Sequence, residues 1–217
     1  ALDTSITETS TIVIRGMGTS GTQVKVLIDG RPFYDRIRSE TKLIGKLSLS
    51  GFSRIEVVKG PGSVVYGADA FAGIINLVSE KTGHTDNNEL AIQVGNNDFK
   101  RAALSFGGNA NEIEWYISAH KEKRDLTGRL VNADAQTGLD LAPFSSLTPP
   151  ASNAPGYLQD WYDTTKLLAK MEYKGLSIDY FDWQLKAGVP LCIADRIDDN
   201  ENPVSYVTSD HKSITIG

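Results

Sequence analysis

Several groups of residues in this chain have types and spacings that could do chemistry. Gly16-Met17-Gly18-Thr19-Ser20-Gly21 follows the β-branched stretch Thr11 to Arg15 and formally satisfies the dinucleotide pattern G-x-G-x-x-G. That chemistry needs a helix opening at the third glycine, its N-terminus facing the pyrophosphate, and an acid about 20 positions on, such as Asp35, to hold the ribose. The residues that follow instead alternate Val24, Val26 and Ile28 with Lys25 and Leu27 and end in Asp29-Gly30. They read as a strand and a turn, so the nucleotide reading fails with its context. Gly62 to Gly67 lacks the Lys-Ser/Thr pair of a phosphate loop, which leaves its glycines as turn residues. Asp195, Asp198, Asp199, Asn200 and Glu201 are oxygen-rich, but the D-x-D-x-D-G spacing of a calcium loop is missing, and they read as a solvated loop. His84, His120 and His211 are scattered, and the single Cys192 allows neither an internal disulfide nor a cysteine cluster. No nucleophile, base and orienter form a recognisable motif, so no catalytic residue, metal or cofactor is assigned.

Composition narrows the class further. The net charge is −5, with lysines and arginines spread along the chain, and no basic face points to nucleic acid. No stretch approaches the roughly 18 apolar residues of a spanning helix, whereas a barrel made of short alternating strands stays open. The opening residues ALDTSITETS carry neither a basic nor an apolar signal-peptide region.

The remaining residues are organised around Arg54 to Glu80. Arg54 to Lys59 reads as a strand in which Ile55 and Val57 form one packed face, Gly60-Pro61-Gly62 as a sharp turn, the stretch to Ala70 as a short helical or turn segment, and Gly73 to Val78 as a second strand. Tyr66-Gly67 and Ala72-Gly73 keep the backbone thin on either side of Phe71, which suggests close packing inside something larger.

The run RIEVVKGPGSVVYGADAFAGIINLVSEK, with IRGMGTSG and VLIDGRPFYD upstream, closely resembles the second half of the plug domain of TonB-dependent outer-membrane receptors, from about Ile12 to Lys81. The resemblance implies a mainly β chain: a partial α+β plug domain at 1–83, then an antiparallel up-and-down meander from a partial transmembrane β-barrel at 84–217, with a long loop at 124–160. It implies uptake of a scarce nutrient, such as a ferric siderophore (iron-siderophore), haem or cobalamin, across the cell outer membrane of a Gram-negative bacterium. The inner-membrane protein TonB would supply energy through a segment upstream of this chain, and outer-membrane lipid would surround the barrel. The loops holding Thr19, Ser20, Gly21, Arg31, Phe33 and Tyr34 correspond to plug apices facing the ligand. From the residues alone, Phe33 and Tyr34 fit ligand contact and loop anchoring equally well. Arg15 and Lys59, each before a glycine, correspond to basic positions that pair with the barrel wall, although Lys59 stands where many members carry Arg and lacks its bidentate fork.

Beyond the polar linker at Thr82 to Asn88 the alternation becomes strict. Leu90, Ile92 and Val94 share a face, as do Ala102, Leu104 and Phe106; Ile113, Trp115, Ile117 and Ala119; Thr165, Leu167, Ala169, Met171 and Tyr173; and Leu176, Ile178 and Tyr180. Facing lipid, these strands would turn Lys166, Lys170, Glu172 and Lys174 toward a wet lumen, with Trp115 and Tyr173 in an aromatic girdle. The alternative is a soluble β-rich binding or adhesion module, in which a second sheet buries Leu167, Met171 and Trp115. Short turns alternating with the long, proline-bearing Arg124 to Asp160 loop suit the barrel, and Ser213 to Gly217 reads as part of a sixth strand. An internal piece of a longer receptor is the expectation.

Overall fold

The computed structural model describes residues 13–14, 17–18, 24–33, 44–60, 62, 66, 70–83, 88–140, 152–188 and 206–217. Near the start, β1 (Val13–Ile14) and β2 (Met17–Gly18) pair as a small antiparallel hairpin.

A four-stranded sheet follows, formed by β3 (Val24–Ile28), β4 (Arg31–Pro32), β5 (Phe52–Lys59) and β6 (Gly73–Ser79) in the order β4-β3-β6-β5. The pair β3–β6 is parallel and the others are antiparallel. The residues after the glycine-rich run thus form the strand and turn that their alternation predicts. Asp29 and Gly30 both adopt left-handed backbone angles, φ 48° and 77°, as a tight two-residue hairpin requires. The central strands bury both faces. Val24, Val26, Ile28, Ile75 and Leu77 join one core, while Leu27 packs with Ala70 and Ile74 in a second.

One expectation for this region is corrected. Ile55 and Val57, read as a packed face, stay 50% and 51% exposed. Their strand is the sheet edge, and of its residues only Phe52 packs against the main core. Beside the thin backbone at Ala72-Gly73, Phe71 itself is exposed between the buried Ala70 and Ala72.

The second sheet has six antiparallel strands in the order β14-β13-β12-β9-β8-β7. They are β7 (Glu89–Val94), β8 (Lys100–Ala110), β9 (Ile113–Arg124), β12 (Tyr162–Tyr173), β13 (Leu176–Gly188) and β14 (Tyr206–Ile216). Each pairs with its sequence neighbours in the sheet, an up-and-down meander. The turns at Asn111-Glu112 and Lys174-Gly175 are tight, with positive φ at all four residues. The long connection between β9 and β12 carries structure of its own. It holds the paired β10 (Leu130–Val131) and β11 (Gly156–Tyr157), the helix α1 (Ala135–Asp140), and Leu158 packed on Val131 and Ala154.

The two faces of this sheet are inverted relative to a water-soluble protein. Ser105, Ser118, His120, Thr164 and Lys166 are buried, together with Tyr116, Phe181 and Trp183. The opposite, apolar parity stays open: Leu90, Ile92, Val94, Phe106, Ile117, Leu167, Met171, Ile214 and Ile216 are all exposed. No second sheet covers that face among the described residues.

Candidate functional site

The four-stranded sheet lies against the polar parity of the six-stranded wall, and the seam between them is the best-developed site in the molecule. Val24, Val26, Ile28, Ile75 and Leu77 from one side share a single core with Tyr116, Leu168, Phe181, Trp183 and Leu185 from the other. Period-2 alternation on β3 and on the wall strands sets this up, since each presents every second side chain to the seam.

Phe33 is the wedge of this seam. Only 3% exposed, its ring lies 4.8 Å from that of His211, 5.4 Å from Trp183 and 6.1 Å edge-on from Phe181. Aromatic pairs in such geometries contribute roughly 0.5–1.5 kcal/mol each beyond burial. Arg31, two residues earlier, reaches across to Asp179 at 3.6 Å.

Three polar fastenings accompany the apolar core. At the end of β3, Asp29 accepts hydrogen bonds from the Ser79 backbone N–H at 2.8 Å and the Ser79 hydroxyl at 2.5 Å, while Lys170 of the wall donates to that hydroxyl at 2.8 Å and lies 3.6 Å from the carboxylate. The residue that shapes the Asp-Gly turn therefore also ties three strands together. Below it, the Thr82 hydroxyl lies 3.2 Å from Glu114 and 3.4 Å from Glu172, two wall carboxylates that share it.

The second fastening is Lys166. It is 1% exposed, and its ammonium donates to the carbonyls of Ser48, at 2.9 Å, and Ser50, with the Phe52 ring 4.9 Å away. Two backbone carbonyls and an aromatic face thus hold a cation that would otherwise be costly to bury. The turn it grips can come this close because residue 51 is glycine: φ is 80°, and a Cβ there would stand 2.6 Å from the Cβ and Oγ of Ser118.

The third fastening lies toward the long loops, where Lys46 and Arg124 flank the Tyr162 ring at 4.1 and 5.1 Å and the Tyr162 hydroxyl donates to Glu122 at 2.5 Å. Away from the wall, Glu56 accepts from Asn76 and pairs with Arg54, and these contacts, Asn76 first, hold its carboxyl below the usual range.

Of the residues singled out in the sequence, Arg31 and Phe33 are brought together at the seam, and Lys59 is exposed at the end of β5. Thr19, Ser20, Gly21, Tyr34 and Arg15 lie outside the described residues, as do Cys192 and the acidic stretch at 195–201. Sequence reasoning missed the roles of Asp29, Ser79, Thr82 and Asp179. It placed Lys166 and Lys170 on the correct parity but expected a wet lumen there, whereas the four-stranded sheet covers both. A lysine recurring on the polar parity of one strand was the available signal.

The fold has counterparts among known proteins. The family model described as the TonB-dependent Receptor Plug Domain matches residues 3–74. The vitamin B12 transporter BtuB of Vibrio vulnificus (strain CMCP6) is 32% identical over 98 residues, covering 44% of this chain and 15% of that protein. The pyoverdine outer membrane receptor FpvA from Pseudomonas aeruginosa superposes with a TM-score of 0.54 at 16% identity, over 83% of this chain and 23% of that one. The siderophore receptor PiuA from Acinetobacter baumannii does so with a TM-score of 0.53 at 16% identity, over 81% and 20%. The chain thus spans a minor part of the length of each of these relatives.

Proposed function

We infer the function of this chain from one premise: it belongs to the TonB-dependent receptors, outer-membrane proteins of Gram-negative bacteria, and joins plug sequence to strands of the barrel wall. We divide it at residue 83, with the plug before and the wall after. The proposed role is energy-coupled uptake of a scarce nutrient, in which the seam is the gate that keeps the lumen shut until the coupling protein TonB remodels the plug.

The single observation that supports this reading is the shared core between the two sheets, pinned by Lys166 and by Asp29, Ser79 and Lys170. A plug held by a few exchangeable hydrogen bonds and one aromatic wedge is tight at rest and can still be reopened, because each bond made inside can be replaced by one to water. No catalytic group is required for such a cycle. Arg31 and Phe33 are proposed as seating residues of the plug, with ligand contact assigned to Thr19, Ser20, Gly21 and Tyr34.

For the cargo we propose a metal chelate, with cobalamin tested before haem and ferric siderophores, on the strength of the 32% identity to a vitamin B12 transporter. The test is uptake of each labelled chelate by cells with and without the full-length receptor, each in coupled and uncoupled energy states. Receptor-dependent, energy-dependent accumulation of one chelate is expected. Accumulation that persists without energy coupling would overturn the gate, and accumulation of none would overturn the cargo class.

A further inference from the structure

The seam is not equally firm along its length. Against β9 and β12, the turn at 48–51 is gripped by the Lys166 ammonium through two carbonyls, and a Cβ at residue 51 would overlap Ser118. That side has no room to spare. Against β13 and β14, the four-stranded sheet presents only its thinnest member. β4 pairs with β3 at two positions, Leu27 with Pro32 and Ile28 with Arg31, and Pro32 has no N–H to donate. The Phe33 N–H, bonded to the Val26 carbonyl at 2.9 Å, ties the end of this arm.

A cavity of about 250 Å³ lies beside the arm, between Ile28, Asp29 and Arg31 of the sheet and Lys170, Asp179 and Ser213 of the wall. Phe33 closes it, since its ring packs on those of Phe181 and His211, which line the cavity as well. Arg31 is half-exposed and stands 3.6 Å from Asp179, longer than a hydrogen bond, so this pair exchanges readily for water. Lys170 stands 3.6 Å from Asp29, and Lys212 at the margin is paired with Asp182 at 3.2 Å. Cations and carboxylates are therefore matched. A polar chelate passing here would find partners for charge of either sign, without the surplus of one sign that would trap it.

We propose that the seam opens on this side only: β4 and Phe33 form a lid that lifts from β13 and β14, the cavity widens into the path of a polar chelate, and the turn held by Lys166 stays docked. The proposal rests on the gate reading above and adds the place where the gate parts. Asp29 remains behind with β6, because its N–H is bonded to the Leu77 carbonyl at 2.9 Å and its carboxylate to Ser79.

The test uses the full-length receptor in cells, freed of native cysteines including Cys192, with one cysteine placed in the cavity (Ser213→Cys) or in the gripped turn (Ser50→Cys). Labelling by a charged thiosulfonate is timed in cells supplied with cobalamin, haem and a ferric siderophore together, with and without energy coupling. Raising an open state from about 1% to about 10% of molecules speeds labelling about tenfold. That acceleration is expected for Ser213→Cys, with the rate for Ser50→Cys unchanged. Equal acceleration at both positions would overturn the one-sided lid and leave the gate standing, because the whole sheet would then have left the wall. Acceleration at neither would overturn both, and acceleration at Ser50→Cys alone would put the opening on the opposite side. A reducible bis-thiosulfonate bridge between Arg31→Cys and Asp179→Cys should stop accumulation of the chelate, and reduction should restore it. Accumulation through the bridged receptor would overturn the lid. Should that variant lose its heat-dependent gel shift, Pro32→Cys with Ser213→Cys bridges the same cavity.

Discussion

On strands β9 and β12, Ser118, Thr164 and Lys166 are buried to 0–1% exposure, while their neighbours Ile117 and Leu167 stand 39% and 36% open. The same backbone therefore carries polar groups into a dry seam and apolar groups out of it. In a water-soluble sheet the assignment would be reversed. Inside, coverage by the four-stranded sheet decides burial, and the large polar groups find partners there: Lys166 has the Ser48 and Ser50 carbonyls, and Trp183 donates to Thr164 at 3.0 Å. Outside, on the proposed reading, lipid would be the solvent of the apolar band, which would then need no partner.

The sharpest way to separate the two faces is to remove the wedge. Phe33→Ala should cost about 3–5 kcal/mol of plug seating, the usual range for truncating a buried aromatic. Hydrogen exchange across residues 24–59 of the full-length receptor should rise while the wall keeps its heat-dependent gel shift. Unchanged exchange with weakened ligand affinity would instead move Phe33 to the ligand.

A cation on the other face tests the lipid. Ile117→Arg should cost roughly 2–4 kcal/mol at the midplane and reduce the heat-shifting receptor in the outer membrane, leaving plug exchange in the surviving molecules unaltered. A neutral outcome would mean that protein, not lipid, covers this face.

The smallest of these effects is expected at Lys166→Met, which keeps the volume and strips the donor from two carbonyls but also removes a buried cation, for a net cost of about 1–3 kcal/mol. Faster amide exchange confined to residues 48–52 is the expected signature. No change there would show that the turn is held without Lys166, by backbone bonds such as that from the Glu80 N–H to the Gly51 carbonyl at 3.0 Å.

Much of the fold was legible before the structure. Period-2 alternation located five of the six wall strands, with Ile113, Trp115, Ile117 and Ala119 correctly assigned to one side, while β14 was read only from Ser213 onward; Asp29-Gly30 after Val24 to Ile28 excluded a nucleotide-binding helix. Local patterning suffices there, because a strand and its turn are specified by residues next to one another. The seam was far less legible. Lys166 meets a carbonyl 118 positions away and Lys170 a hydroxyl 91 positions away, and no local spacing encodes either contact. Ile55 and Val57 failed for a related reason, since alternation marks a face but not whether anything covers it.

The sequence by itself determined the strands, their turns, the meander and the chemical identity of each face, because backbone geometry projects alternate side chains to opposite sides. Only the tertiary structure decided that the polar face is the buried one, that Phe33 is a wedge between two sheets, and that Asp29 serves as both turn and fastening. Those outcomes depend on which distant surface arrives opposite each residue, and that is fixed when plug and wall pack together.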